Sequence, residues 1–158
     1  MTKRAFRGLF LCAVIGALLF RTLRLDLRPM HHDEANQAVK FGQLLERGEY
    51  RYDPNDHHGP SLYYLTMPFA LAASGRSLAA LNETTIRLLP ALAGTAVLFV
   101  LLLLLGGLPR ESVAFAALLT ALSPAMTYYS RFYIQEILLV LFLALFIGRI
   151  LARGDLVE

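Results

Sequence analysis

The sequence predicts an all-α polytopic membrane protein, with four transmembrane helices and juxtamembrane helices in the first external loop. Three observations carry this. Hydrophobic residues make up 56% of the chain and charged residues 17%, a balance that soluble domains rarely reach. The apolar residues fall in long uncharged runs, and the polar ones gather between them. In a four-crossing arrangement Lys3, Arg4, Arg7, Arg110, Arg149 and Arg153 all lie on one side, which the positive-inside rule makes cytoplasmic.

The elements follow in chain order. Gly8 to Phe20 is an apolar run behind MTKRAFR. That pattern also fits a secretory signal peptide, but Arg21 follows at once and there is no small-x-small cleavage site. It is read as an uncleaved first helix over 8–27. Leu88 to Leu105 and Ser112 to Ser130 are uncharged and long enough to cross about 30 Å of hydrocarbon; they predict helices over 84–105 and 112–129. Ile137 to Gly148 is shorter, and a helix over 135–153 reaches spanning length if Arg149 snorkels to the interface. PSLYYLTMPFALAASG, 60–75, starts at a proline and carries Pro68 inside. If it spanned, Arg110 and the YSRFYIQE stretch would change sides. It is read as a helix in the outer interface, with Tyr63 and Tyr64 as anchors.

The remaining external loop, within 28–83, holds the polar chemistry. EANQAVKFGQLLERG places Ala38, Phe41 and Leu45, joined by Val39 and Leu44, on one face of a short amphipathic helix. Gly48 suits its C-cap and Asp33 its N-cap, with Glu34 at the positive helix end. Capping explains the acidic pair but not His31 and His32, nor YDPNDHHGP, which adds Asp53, Asp56, His57 and His58. Two His/Asp clusters flanking one helix predict a polar site facing the outer compartment. TYYSRFYIQE brings Arg131 and Glu136 to the same side, and Arg87 stands at the start of the Leu-rich run. Charges at membrane depth are costly and mark function more often than not. The basic residues form no block, so nucleic acid is not an expected partner. Cys12, the single cysteine, excludes an intrachain disulfide.

These stretches carry a family resemblance. LFRTLRLDLRPMHHDEANQA resembles the first-loop signature of membrane-embedded glycosyltransferases of the GT-C fold, in which an acidic DE follows the first helix. HHGPSLYYLTMP, ETTIRLLPALAGTAVLF and YYSRFYIQE are similar, in the same order, to segments of the protein O-mannosyltransferase and aminoarabinose transferase branch. The combination looks closest to the flippase-activity-associated subfamily among the family 39 relatives. Enzymes of this kind have many more spanning helices, so the resemblance implies that this chain is an N-terminal part or that it works with other chains. Glu136 departs from the family by standing where many relatives have Asp.

The resemblance implies an activity: transfer of a sugar from a polyprenyl-phosphate donor to a glycan, lipid or protein acceptor, at the outer face of the plasma membrane. Such a reaction needs a base for the acceptor hydroxyl and positive charge for the leaving phosphate. By resemblance Asp33 is the candidate base. Glu34 would orient it or contact the acceptor, and Glu136 is a third candidate catalytic carboxylate. Arg131, Arg87, His58 and Tyr63 are candidate substrate-binding residues. No cofactor is certain; His31, His32, Asp53 and His57 are suitable ligand types for a divalent metal ion, at a spacing that matches no strong motif. The competing readings are a non-catalytic membrane protein that assists lipid-linked sugar handling or flipping, a piece of a transporter, and a structural helix fragment. Polar residues gathered at one end, not along a helix face, argue against the transporter.

Overall fold

The structure, a computed structural model, describes residues 1–55 and 59–153. Among them it is all-helical, with no strand. The helices are α1 (Lys3–Thr22), α2 (His32–Arg47), α3 (Ser61–Ser74), α4 (Glu83–Val100), α5 (Arg110–Leu122), α6 (Pro124–Ser130) and α7 (Glu136–Arg153). A 3₁₀ segment, Leu101–Gly106, prolongs α4.

Four passes alternate in direction. The Met1 ammonium pairs with Glu111, so α1 and α5 start at one end of the bundle. Arg21, in the last turn of α1, reaches the Thr120 and Ala121 carbonyls at the end of α5. Arg87, in α4, reaches the Leu25 and Arg28 carbonyls just beyond α1, so α4 runs back the other way. A Cβ added to Gly148 in α7 would meet Leu103, which sets α7 beside the far end of α4. Ala13 and Ala17 of α1 and Ala114, Ala117 and Ala121 of α5 are buried together; small side chains let helix backbones approach closely where lipid offers no hydrophobic drive. Leu11, Ile15, Leu19, Phe142, Phe146 and Ile147 are exposed, an outward apolar surface suited to hydrocarbon.

Two helices, Lys3–Thr22 and Glu83–Gly106, are long and apolar enough to cross a membrane, and a third crossing is counted if the bent pair α5–α6 is one span. The expected four spans are therefore not met among the described residues. Pro124 has no N–H to donate and disfavours a helical conformation at Ser123. Ser123 is accordingly non-helical, with ψ 121°, and the axis turns by 59° between α5 and α6. In α7 the uncharged stretch is Ile137 to Gly148, with Glu136, Arg149 and Arg153 around it. Twelve residues at 1.5 Å each make roughly 18 Å of apolar helix, short of the roughly 30 Å of a hydrocarbon core.

Three further expectations change. The first helix spans Lys3–Thr22 and not 8–27, because Leu23 is extended and Arg24 takes a left-handed conformation, φ 51°. The N-cap of α2 is His31, not Asp33: His31 Nδ1 accepts from the Asp33 N–H, and Glu34 accepts from the His31 N–H. Val39 is 56% exposed, outside the buried face formed by Ala38, Phe41, Leu44 and Leu45. Gly48 does cap α2, with φ 73°. α3 has 14 residues, with Pro68 inside, and is not among the span candidates; its Leu62, Tyr63, Thr66 and Ala70 form one buried face.

Candidate functional site

Glu34 is the centre of the polar end. Its side chain is fully buried, which for an ion demands a partner. Arg87 supplies one side-on: Nε donates to Oε1 at 2.8 Å and Nη2 to Oε2 at 2.9 Å. Arg28 Nη2 adds a bond to Oε2 at 3.0 Å, the Tyr133 N–H donates to Oε1 at 2.8 Å, and the His31 N–H donates to Oε2 at 3.1 Å. Burial pushes this carboxyl up, but the hydrogen bonds from Arg87, Tyr133 and His31 and the Arg87 charge outweigh it and hold Glu34 below the ordinary carboxylate range.

Arg87 is saturated in return. Its guanidinium also donates to the carbonyls of Leu25, Arg28 and Pro29. A guanidinium has five N–H donors, and the five bonds to protein acceptors use them all. Arg131 donates from Nη1 to the Phe20 and Leu23 carbonyls and from Nη2 to the Arg24 carbonyl, closing the end of α1. Arg28 lies over the Phe132 ring, 4.0 Å from its centroid, and 5.3 Å from that of Tyr128.

These three arginines share a pocket of about 110 Å³, lined by Leu25, Arg28, Arg87, Tyr128 and Arg131. Partial burial, then the nearby charges of Arg28 and Arg87, push the Arg131 guanidinium below its ordinary value. Three cations against the single carboxylate of Glu34 leave an excess of positive charge that a compact anion would relieve. Arg28 and Arg131 retain N–H groups not used in the bonds above.

Compared with known protein families, curated proteins and solved structures, the chain matches none. A role therefore has to be argued from the side chains themselves.

The structure joins Glu34 to Arg87 and sets Arg131 at the same pocket. It leaves Asp33 outside that network. Asp33 is 61% exposed, with Oδ2 3.3 Å from His31 Nδ1 and Oδ1 3.4 Å from His32 Nδ1. Glu136 is exposed in the first turn of α7, where its charge suits the helix N-terminus. Tyr63 is not an interfacial anchor: it is fully buried and its hydroxyl donates to Gln37 Oε1, while Tyr64 is exposed. His31 and His32 sit with Asp33, whereas Asp53 lines a separate cavity with Asn36 and Tyr52. Among the described residues no group of three or more His, Cys, Asp or Glu is arranged to hold a metal ion. His57 and His58 lie outside the described residues.

Sequence reasoning missed Arg28 and Arg21. Arg28 stands one residue before PMHHDE, so proximity to the acidic pair was a signal in plain view. Arg21 is fully buried and donates to Ser130 Oγ and to the Ala17, Thr120 and Ala121 carbonyls. It holds the break between α5 and α6 against α1. Its signal was a charge directly after an apolar run.

Proposed function

We propose that the chain is part of a membrane glycosyltransferase that moves a sugar from a polyprenyl-phosphate donor to an acceptor at the outer face of the plasma membrane. In this reading α1, α4, the α5–α6 pair and α7 are the four crossings, with Arg149 snorkelling at the far end of α7. The observation that carries it is the arginine pocket: Arg28, Arg87 and Arg131 face one small space, and the exposed Asp33 is next in sequence to Glu34, the carboxylate that Arg28 and Arg87 hold.

The chemistry divides among these groups. Arg28 and Arg131 would donate to the donor phosphate, and Arg87, with its donors spent, would add charge alone. Asp33 would take the proton of the acceptor hydroxyl as its oxygen attacks the anomeric carbon. The bond from that carbon to the phosphate oxygen breaks, and the electron pair leaves on the phosphate, where the arginines stabilise it. Glu34 then holds Arg28 and Arg87 in position; it is not itself a base, since hydrogen bonds keep it ionised and enclosed.

The test compares Asp33→Asn with Arg131→Gln in membranes holding equal amounts of protein, following sugar from a polyprenyl-phosphate donor to acceptor. Asp33→Asn should lower transfer by about 10²–10⁴-fold, the usual scale of a general base, and Arg131→Gln should weaken donor use. A specific observation favours a second reading, non-catalytic handling of lipid-linked sugar: the buried carboxylate is spent on arginine, and Asp33 lies exposed beside two histidine rings, outside the arginine network. Wild-type transfer in Asp33→Asn, with donor binding lost in Arg28→Gln, would select that reading.

A further inference from the structure

A second, larger cavity of about 820 Å³ lies on the outward side of α2, away from the arginine pocket. One wall is a helical stripe, Asn36, Val39, Lys40 and Gln43, spaced at three and four residues so that it faces one way. The other wall is the segment 49–54, with Tyr50 and Tyr52. Tyr63 closes the floor, its ring 5.7 Å from that of Tyr50. The volume is that of a ligand site, about 300–1,000 Å³.

We propose that this groove binds a neutral glycan. The lining is the argument. Among the described residues its charged members balance, Lys40 and Arg51 against Glu49 and Asp53, so they offer no net attraction to a phosphate-bearing ligand, in contrast to the arginine pocket. Among the described residues apolar side chains are few, Val39 and Pro54, so a lipid tail or flat apolar molecule would leave polar groups unpaired. No strand edge stands among the described residues to pair with an extended peptide. What the groove does offer is tyrosine rings, which present flat apolar faces with polar tips, and the carboxamides of Asn36 and Gln43, which donate and accept together. A sugar presents the complement: C–H faces to cover rings, and hydroxyls that each donate and accept.

The lining stripe shares a helix with the candidate base. Asn36 stands three residues after Asp33, one turn along the same helix. Binding of a glycan does not depend on the donor reading; its role as the acceptor rests on that reading.

The test is saturation-transfer NMR on the 158-residue chain, in a detergent without a sugar head group, against neutral linear oligosaccharides of glucose, mannose and galactose. No donor is present, so failure of the transferase reading leaves the result unchanged. At least one series should receive saturation. Tyr52→Ala should weaken its binding by about tenfold, the upper range for one aromatic contact, and Tyr52→Phe should restore it. Gln43→Ala should weaken it too. Tyr52 and Gln43 are exposed, so these variants should keep the helical circular dichroism of the parent. Absence of saturation in every series would overturn the proposal. So would equal binding by the parent and Tyr52→Ala, or Tyr52-dependent binding of an uncharged tetrapeptide with no glycan bound.

Discussion

Glu34 and Arg87, 53 residues apart in sequence, meet in a two-bonded pair with both side chains buried, 0% and 1% exposed. The pair ties the first turn of α2 to the first turns of α4. Since Arg87 also holds the Leu25, Arg28 and Pro29 carbonyls, one guanidinium gathers the whole chain segment that leads from α1 into α2. Breaking one half of a buried pair leaves a charge without compensation and costs about 3–5 kcal/mol. Glu34→Gln should therefore destabilise the fold by that amount in denaturant titration, while Asp33→Asn, exposed and away from the pair, should change stability by less than about 0.5 kcal/mol.

The same pair sets an acid response. Glu34 is held below the ordinary carboxylate range in the folded state, so the unfolded chain binds its proton more readily. Its contribution to stability is fully present above the unfolded value of about 4.3 and is lost as pH falls towards the depressed folded value. The stability difference between the parent and Glu34→Gln should be constant from neutral pH to about 5 and shrink below that. A difference that grows on acidification would contradict the sign.

Arg24 adopts φ 51°, the left-handed region, where a side chain other than glycine is strained. Its carbonyl is held there by Arg131 Nη2 at 2.9 Å. A β-branched residue tolerates this region worst, and the left-handed conformation costs about 1–2 kcal/mol. Arg24 already bears that cost, so Arg24→Gly should be neutral or stabilising by up to that amount in the same titration, and Arg24→Val should lower stability. Equal losses in both would point to the Arg24 side chain and not to its backbone.

Gly94 sits where α4 meets Arg21 and Ser130. A Cβ added there would fall 2.7 Å from Ser130 Cβ and 3.3 Å from Arg21 Nε, inside the packed centre of the bundle. Gly94→Ala should destabilise by about 1–3 kcal/mol, the scale of overpacking. Gly8→Ala is the control, because a Cβ at Gly8 meets nothing within 4 Å. It should be neutral or slightly stabilising, by helix propensity.

Topology is testable by thiol labelling. With Cys12 replaced by serine, single cysteines at Asn55 and Arg110 should react with an impermeant maleimide from opposite sides of the membrane, Asn55 from outside. The pairing of Met1 with Glu111 places Arg110 at the N-terminal end of the bundle, and the basic residues there favour the cytoplasm. Labelling of both from one side would remove the four-crossing arrangement.

What could be read along the chain was whatever depends on near neighbours. The helical period and the glycine after Arg47 placed α2 and its C-cap. The proline start and Pro68 left α3 open between a short span and an interfacial helix, with charge asymmetry favouring the second, and the uncharged run from Leu88 marked α4. These follow from local sterics and from the length of apolar helix, both written in consecutive residues. The uses of the charges are different. Asp33 and Glu34 are adjacent and chemically alike, yet one is exposed beside two histidines and the other is buried among two arginines and two backbone N–H groups. A one-residue step turns a helical side chain by about 100°, from 3.6 residues per turn, so which carboxylate faced inwards depended on where α4 and the Tyr133 segment would pack. Arg131 likewise ends α1 from a distance of more than a hundred residues, and Arg28 joins Arg87 and Arg131 only because the bundle brings three chain segments to one end. The role of a charged side chain is set by the field and the hydrogen bonds of remote partners, and only the tertiary packing of α1, α2, α4 and α6 decided who those partners are.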